Sequence, residues 1–214
     1  MVTPNAFAPF ADLAAQVIPL LAAADGAHDV AHLLRVWRNV QAIAAVEGGR
    51  LDILAAASLL HDCVAVEKSS ALRSTASLLA ADRATEILQR IGWSTEAVSD
   101  VAHAIAAHSF SAGIAPTTLE ARVLQDADRL DALGHIGIAR CFYIAGRMGS
   151  AIYDADDVRA DRRPLDDTRY ALDHFRTKLL RLGAGFQTVT GKRMATERTE
   201  VIAAFLEGFE AELQ

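Results

Sequence analysis

Apolar residues recur at three- and four-residue spacing along most of the chain, and no stretch alternates as a strand would. Val30, Leu33, Leu34, Trp37, Val40, Ile43 and Ala44 mark a helix from about His28 to Glu47, stopped by Gly48-Gly49. Before it, about Ala6 to Ala24 reads as a first helix, with Pro9 near its start, Pro19 a possible kink and Asp25-Gly26 its break. A third helix begins at Leu51 and ends its apolar run in His61-Asp62. Val64 to Leu72 is a mixed loop, followed by a helix from about Arg73 to Ile91 that halts at Gly92. Ser94 caps a fifth helix, Thr95 to about His108. Thr117 and Glu120 form a capping box for a sixth, which runs to about Leu133. Gly134 breaks or bends that helix, and a seventh carries Ile136, Ile138, Ala139, Phe142 and Ile144. Met148 to Pro164 is irregular and charged, and helices over about Asp167–Leu182 and Thr190–Leu213 close the chain. A loop this long is a candidate lid or binding loop, or else a solvated connection.

Composition agrees with helices. The chain is 52% hydrophobic but only 6% aromatic, rich in Ala and Leu, where strands would want β-branched and aromatic residues. The expectation is a single compact all-α domain of 214 residues, a helical bundle. The net charge of -6 argues against a nucleic-acid polymer as partner. No leader and no membrane span are expected, so the predicted location is the cytoplasm, with Cys63 and Cys141 as buried free thiols.

Candidate chemistry sits where the apolar pattern is interrupted. His61 and Asp62 stand side by side at a helix end, where a fraying last turn lets both face one point. An imidazole nitrogen and a carboxylate oxygen at one point make half of a divalent-metal site. His28 and His32 share a helix face one turn apart. Asp126, Asp128 and Asp131 lie on a helix that is otherwise apolar, which is costly unless something positive compensates. Each feature alone is more often a solvated face or a satisfied core residue. Together they place His, then His-Asp, then Asp on successive apolar helices.

That order, His32, His61-Asp62, Asp128, resembles the HD-domain superfamily of metal-dependent phosphohydrolases. His28-Asp29-Val30-Ala31-His32-Leu33-Leu34-Arg35-Val36 is similar to the first motif of the family, and Ala57-Ser58-Leu59-Leu60-His61-Asp62 to the motif that names it. Gln125-Asp126-Ala127-Asp128-Arg129-Leu130-Asp131-Ala132 with Gly137-Ile138-Ala139-Arg140 resembles a short bacterial branch containing nucleotide pyrophosphohydrolases. The tail from His174 through Lys178-Leu179-Leu180 to Phe205 fits as well, so most of the chain is covered. The resemblance implies one HD domain over 1–214, with a metal-binding core at about 25–147, the irregular loop at about 148–164 and closing helices at about 167–213.

It also implies metal ligands His32, His61, Asp62 and Asp128, the last preferred to Asp126 because it precedes Arg-Leu. The cofactor is then one divalent transition metal, Mn, Ni, Co, Zn or Fe. His28 is the candidate proton donor to the leaving group, Glu67 could orient water, and Lys68 could hold a phosphate. His108, Arg35 and Arg129 are candidate substrate contacts, and Arg159, Arg162 and Arg163 could meet a triphosphate, offset by neighbouring aspartates. Binuclear members add two histidines between the His-Asp pair and the last Asp. Here only His103 and His108 lie there, about 140° apart on an ideal helix, so a single metal is favoured and His103 is expected at the solvent face. Guanosine-tetraphosphate hydrolases carry acidic residues where this chain has Ala65 and Val66, which disfavours that substrate.

The expected activity is therefore cleavage of nucleoside triphosphates to monophosphate and pyrophosphate, on a small phosphate ester, by a monomer or homodimer. A nucleotide monophosphatase or phosphodiesterase of the same fold, and a non-catalytic nucleotide-binding module, are the alternatives. A diiron oxygenase on this fold is disfavoured by the count of ligands.

Overall fold

The computed structural model describes residues 2–21, 29–64, 73–109 and 112–213. Most of these are helical, and the one β-type pairing among them is an isolated parallel bridge between Ala151 and Tyr170. The α-helices are α1 (Ala11–Val17), α2 (Val30–Glu47), α3 (Leu51–Leu60), α4 (Ala76–Arg90), α5 (Thr95–His108), α6 (Leu119–Leu130), α7 (Gly134–Met148), α8 (Ala171–Thr177) and α9 (Val189–Ala211). The chain divides into two compact units, Met1–Asp128 and Arg129–Gln214.

In the first unit α3 is the hub. Ile53 through Leu60 are buried without interruption, so this helix has no solvent face among those positions. It packs against α1, α2 and α5, while α4 lies along α5. Asp29 caps α2 by accepting the amide of His32 at 3.0 Å, so the helix begins at Val30 rather than at His28. Residue 28 itself lies outside the described residues. The face of α2 bearing Leu33, Val36, Trp37, Val40 and Ile43 is buried, as the apolar period requires. At the end of α2 the amide of Gly48 returns to the carbonyl of Ala44 at 2.9 Å, with φ of 83°. Ser94 caps α5 as expected, accepting the amide of Ala97 at 3.3 Å.

Three further segments differ more plainly from the sequence expectation. The first helix is only α1, flanked by 3-10 turns at Pro4–Phe7 and Ile18–Leu20, because each proline enters at the start of a turn and cannot donate to a longer ladder. The cap of α6 is Thr118, whose hydroxyl accepts the amide of Ala121 at 3.1 Å. Thr117 instead meets His103 Nε2 through its amide at 3.2 Å and its hydroxyl at 2.9 Å, and Glu120 accepts the amide of Arg50 at 2.9 Å. No capping box forms, and His103 is a loop anchor rather than a free surface ring. The expected helix over 167–182 is α8 followed by a 3-10 segment, Leu179–Gly185. Its start is delayed because Asp166 turns the chain through Thr168, at 2.6 Å from the hydroxyl, and Ala171 donates to the carbonyl of Ala151 at 2.9 Å.

The second unit is built on aromatic packing. Phe142 of α7 meets Phe175 of α8 and Phe205 and Phe209 of α9, with ring centroids 5.6, 5.9 and 6.4 Å away, and Tyr153 closes on Phe209 at 5.9 Å. The predicted break at Gly134 is present: φ is +66° there and α7 begins. The irregular segment beyond α7 is not loose. Arg163 grips the fully buried Asp173 through two nitrogens, at 2.5 and 3.1 Å, approaches Asp154 at 3.1 Å and lies over the Tyr170 ring. Arg159 and Arg176 both pair with Glu210. Both cysteines are free and buried, as expected, and burial pushes the Cys63 thiol up to about 11.

Candidate metal centre

His32 stands in the first turn of α2, its ring fully buried. His61 follows the last residue of α3, held in helical conformation, with its amide on the Ala57 carbonyl at 2.9 Å. The Nδ1 of His61 lies 2.9 Å from the carbonyl of Ser58, one turn back. A carbonyl only accepts, so Nδ1 carries the proton and Nε2 keeps its lone pair. Burial pushes the His61 imidazole below its ordinary range, against the pull of the Asp62 and Asp128 carboxylates, so the ring is held in the neutral form a metal needs.

The Nε2 atoms of His32 and His61 are 3.2 Å apart. Asp62 Oδ2 lies 3.6 Å from the first and 3.7 Å from the second. Asp128 Oδ1 lies 3.5 and 3.7 Å from the same two nitrogens. With a neutral His61 its two carboxylate contacts are not ion pairs in the ordinary sense. Donors about 2.1 Å from a tetrahedral cation stand ~3.4 Å from one another, so the spacing has the size of a coordination shell. Among the described residues His32, His61 and Asp128 each offer an atom within 4.8 Å of the other two, a group that could hold a metal ion. The imidazoles are sealed, while the Asp62 and Asp128 side chains are 31% and 28% exposed, so the carboxylate side is open to solvent.

His61 directly follows α3, and Asp128 lies in the last turn of α6. The unpaired carbonyls of a last helical turn favour a cation. His108 ends α5, with its Nδ1 2.6 Å from the Ile105 carbonyl and its ring edge-on to His61, centroids 5.1 Å apart. In the neutral ring that contact leaves Nε2 as the acceptor. It does not belong to the ligand group above.

The structure therefore brings together His32, His61, Asp62 and Asp128, with His108 beside them. Arg35 is half-buried on α2. Arg129 belongs to the second unit and places Nη1 on the carbonyl of Gly185 at 2.6 Å. Arg159 and Arg163 hold acidic partners and Arg162 binds the Asp156 carbonyl, so none of the three is held in reserve for a phosphate. His28, Glu67 and Lys68 lie outside the described residues. Sequence reasoning missed three helpers. Ser58 orients His61 through its carbonyl, Asn39 donates to the Ala127 carbonyl at 2.9 Å, and Gln125 donates to the Ala107 carbonyl at 2.7 Å. The two carboxamides had a signal, since each is a polar residue inside an apolar stretch; a backbone carbonyl leaves none.

The model of the HD domain family matches residues 29–133, the span that contains all four converging side chains. The uncharacterized protein YpgQ of Bacillus subtilis strain 168 is 32% identical over 190 residues, covering 87% of this chain and 84% of its own. The chain belongs to the HD-domain family. Solved structures agree in fold. The crystal structure of Bacillus subtilis YpgQ in complex with ADP superposes with a TM-score of 0.73 at 31% identity, covering 92% of this chain and 96% of that one. An HD-superfamily hydrolase from Bacillus thuringiensis gives 0.66 at 32% identity, with 86% of each chain covered. One from an uncultured Thermotogales bacterium gives 0.58 at 29%, covering 89% and 84%.

Proposed function

We propose that this HD-domain protein is a metal-dependent phosphohydrolase acting on nucleotides, and that its reaction splits a nucleoside triphosphate into monophosphate and pyrophosphate. The observation that carries the reading is the pair of buried imidazole nitrogens 3.2 Å apart, faced by two part-exposed carboxylates. Its nucleotide specificity is supported by the ADP complex of YpgQ, a relative at 31% identity over nearly the whole of both chains.

His32, His61, Asp62 and Asp128 would hold the cation. A divalent metal bound there supplies Lewis acidity, lowering the pKa of water and polarising a phosphoryl oxygen. The chain's own residues do the rest. The Ser58 carbonyl keeps His61 in the tautomer that presents Nε2. His108, its Nδ1 engaged at 2.6 Å, offers Nε2 as an acceptor for a hydroxyl or water of the substrate complex. His28 is the proposed proton donor to the leaving oxygen, Lys68 the proposed phosphate contact and Glu67 the proposed water-orienting carboxylate. Arg35 and Arg129 remain proposed substrate contacts, Arg129 only if it leaves the Gly185 carbonyl.

The test is release of pyrophosphate or phosphate across a panel of nucleoside mono-, di- and triphosphates with Mn, Ni, Co, Zn or Fe. Pyrophosphate from triphosphates is expected. Phosphate from monophosphates would shift the reading to a monophosphatase, and tight nucleotide binding with no turnover to a regulatory module. Asp62→Ala is expected to abolish metal binding and turnover while the helical circular dichroism persists. Full turnover by that variant in the presence of a chelator would end the metal mechanism.

A further inference from the structure

Three side chains of the centre sit where helices fray. His61 directly follows α3, His108 ends α5 and Asp128 lies in the last turn of α6. A turn that opens by a fraction of an ångström moves its side chain by as much, yet a coordination shell tolerates only a few tenths. Each of these turns is pinned. The α3 turn is pinned by His61 itself, through Nδ1 on the Ser58 carbonyl. The other two are held by carboxamides from neighbouring helices.

Asn39 lies two turns along α2 from His32, so both occupy one face of that helix. Its Nδ2 donates to the carbonyl of Ala127, the residue before Asp128, at 2.9 Å. Gln125 lies one turn before Asp128 on α6, and its Nε2 donates to the carbonyl of Ala107, the residue before His108, at 2.7 Å. Both carbonyls fall in final turns, where intrahelical donors run out. Both side chains are buried, at 6% and 3% exposure. The Gln125 amide cannot be turned over, because its oxygen would then face the Ala107 oxygen. In the orientation seen, Oε1 is buried without a hydrogen-bond partner among the described residues. A buried acceptor left unpaired offsets much of what one hydrogen bond returns, so this side chain has little net worth to folding alone.

We propose that Asn39 and Gln125 are positioning residues, which link α2 to α6 and α6 to α5 and so set the spacing of the metal-ligating side chains. With the imidazole contacts of His61 to His32 and His108, they close a ring of four helices around the centre. The proposal rests on the metal reading above, and its experiment separates the two.

The full-length chain, stripped of metal, is titrated with Mn2+ while free Mn2+ is followed by electron paramagnetic resonance, with no nucleotide present. Asn39→Leu and Gln125→Met each remove a donor and keep the volume. Ser77→Ala is the control, since Ser77 makes a comparable buried bond, to the Ala106 carbonyl at 3.0 Å, between α4 and α5. Asn39→Leu and Gln125→Met are expected to weaken Mn2+ binding about tenfold, the low end for residues that support a ligand shell. Ser77→Ala is expected to bind as the parent does even where its melting temperature falls. Unchanged affinity in both carboxamide variants overturns the proposal, and so does equal weakening by Ser77→Ala. Should Asn39→Leu not fold, Gln125→Met decides alone. A parent chain that binds none of Mn2+, Ni2+, Co2+, Zn2+ and Fe2+ defeats the metal reading instead.

Discussion

The carbonyl of Ser58 decides which nitrogen of His61 faces its neighbours, and with it what the site can hold. That choice is invisible in a sequence, because any residue supplies a carbonyl. His61 and Asp62 were legible because a polar atom inside an apolar helix needs a reason, whereas the full ligand set, with Asp128 preferred to Asp126, was implied by the resemblance to the family. His61 and Asp62 interrupt a run in which every position from Ile53 to Leu60 is buried. Thr117 and Thr118 were not separable, since adjacent threonines offer the same hydroxyl and only the chain's path decides which one caps. Gly137 shows the same limit with a larger consequence. In a helix, Gly→Ala ordinarily stabilises by about 1 kcal/mol. Here a Cβ would stand 2.2 Å from the carbonyl oxygen of Ala132, a backbone atom that cannot swing aside. We expect Gly137→Ala to lose about 1–3 kcal/mol, as overpacking does. A urea midpoint at or above the parent's would refute that assignment.

Among elements, the strongly periodic helices α2 to α7 emerged where the apolar pattern put them, since burial of a face, not propensity, stabilises them. The segments that did not are those governed by polar contacts. The stretch after Met148 read either as a lid or as a solvated connection. It is fastened by Arg163, which inserts between Asp154 and Asp173 and stacks on Tyr170. Asp173 is fully buried and also accepts the amide of Asp166 at 2.6 Å, so it is the keystone of the segment. Removing Arg163 would leave that carboxylate uncompensated, at about 3–5 kcal/mol. We expect Arg163→Met to lower stability by that order. The double variant with Asp173→Leu should recover part of it and not all, because the Asp166 amide then loses its acceptor. Chemical denaturation of the three variants measures this; a double variant no better than the single would mean that the charge pair is incidental.

At the scale of the whole molecule, metal and fold are linked. Among the described residues no helix is long and apolar enough to cross a membrane, and the chain carries a net charge of -6, so two carboxylates at one buried imidazole pair add to an existing excess of negative charge. A divalent cation that binds the folded chain and not the unfolded one removes part of that repulsion and draws the equilibrium toward the fold. At a free concentration of one hundred times its dissociation constant it stabilises by about 2.7 kcal/mol. For a chain of this length that corresponds to a rise in melting temperature of roughly 5–10 °C. The parent protein is therefore expected to melt higher with Mn2+ than after a chelator, and Asp62→Ala to melt at one temperature in both. Arg163→Met should keep the metal-dependent rise from its lower baseline, because Arg163 and Asp173 belong to the second unit while the four site residues belong to the first. A rise of equal size in Asp62→Ala would show that the cation acts elsewhere on the surface, and would detach this stabilisation from the buried histidines.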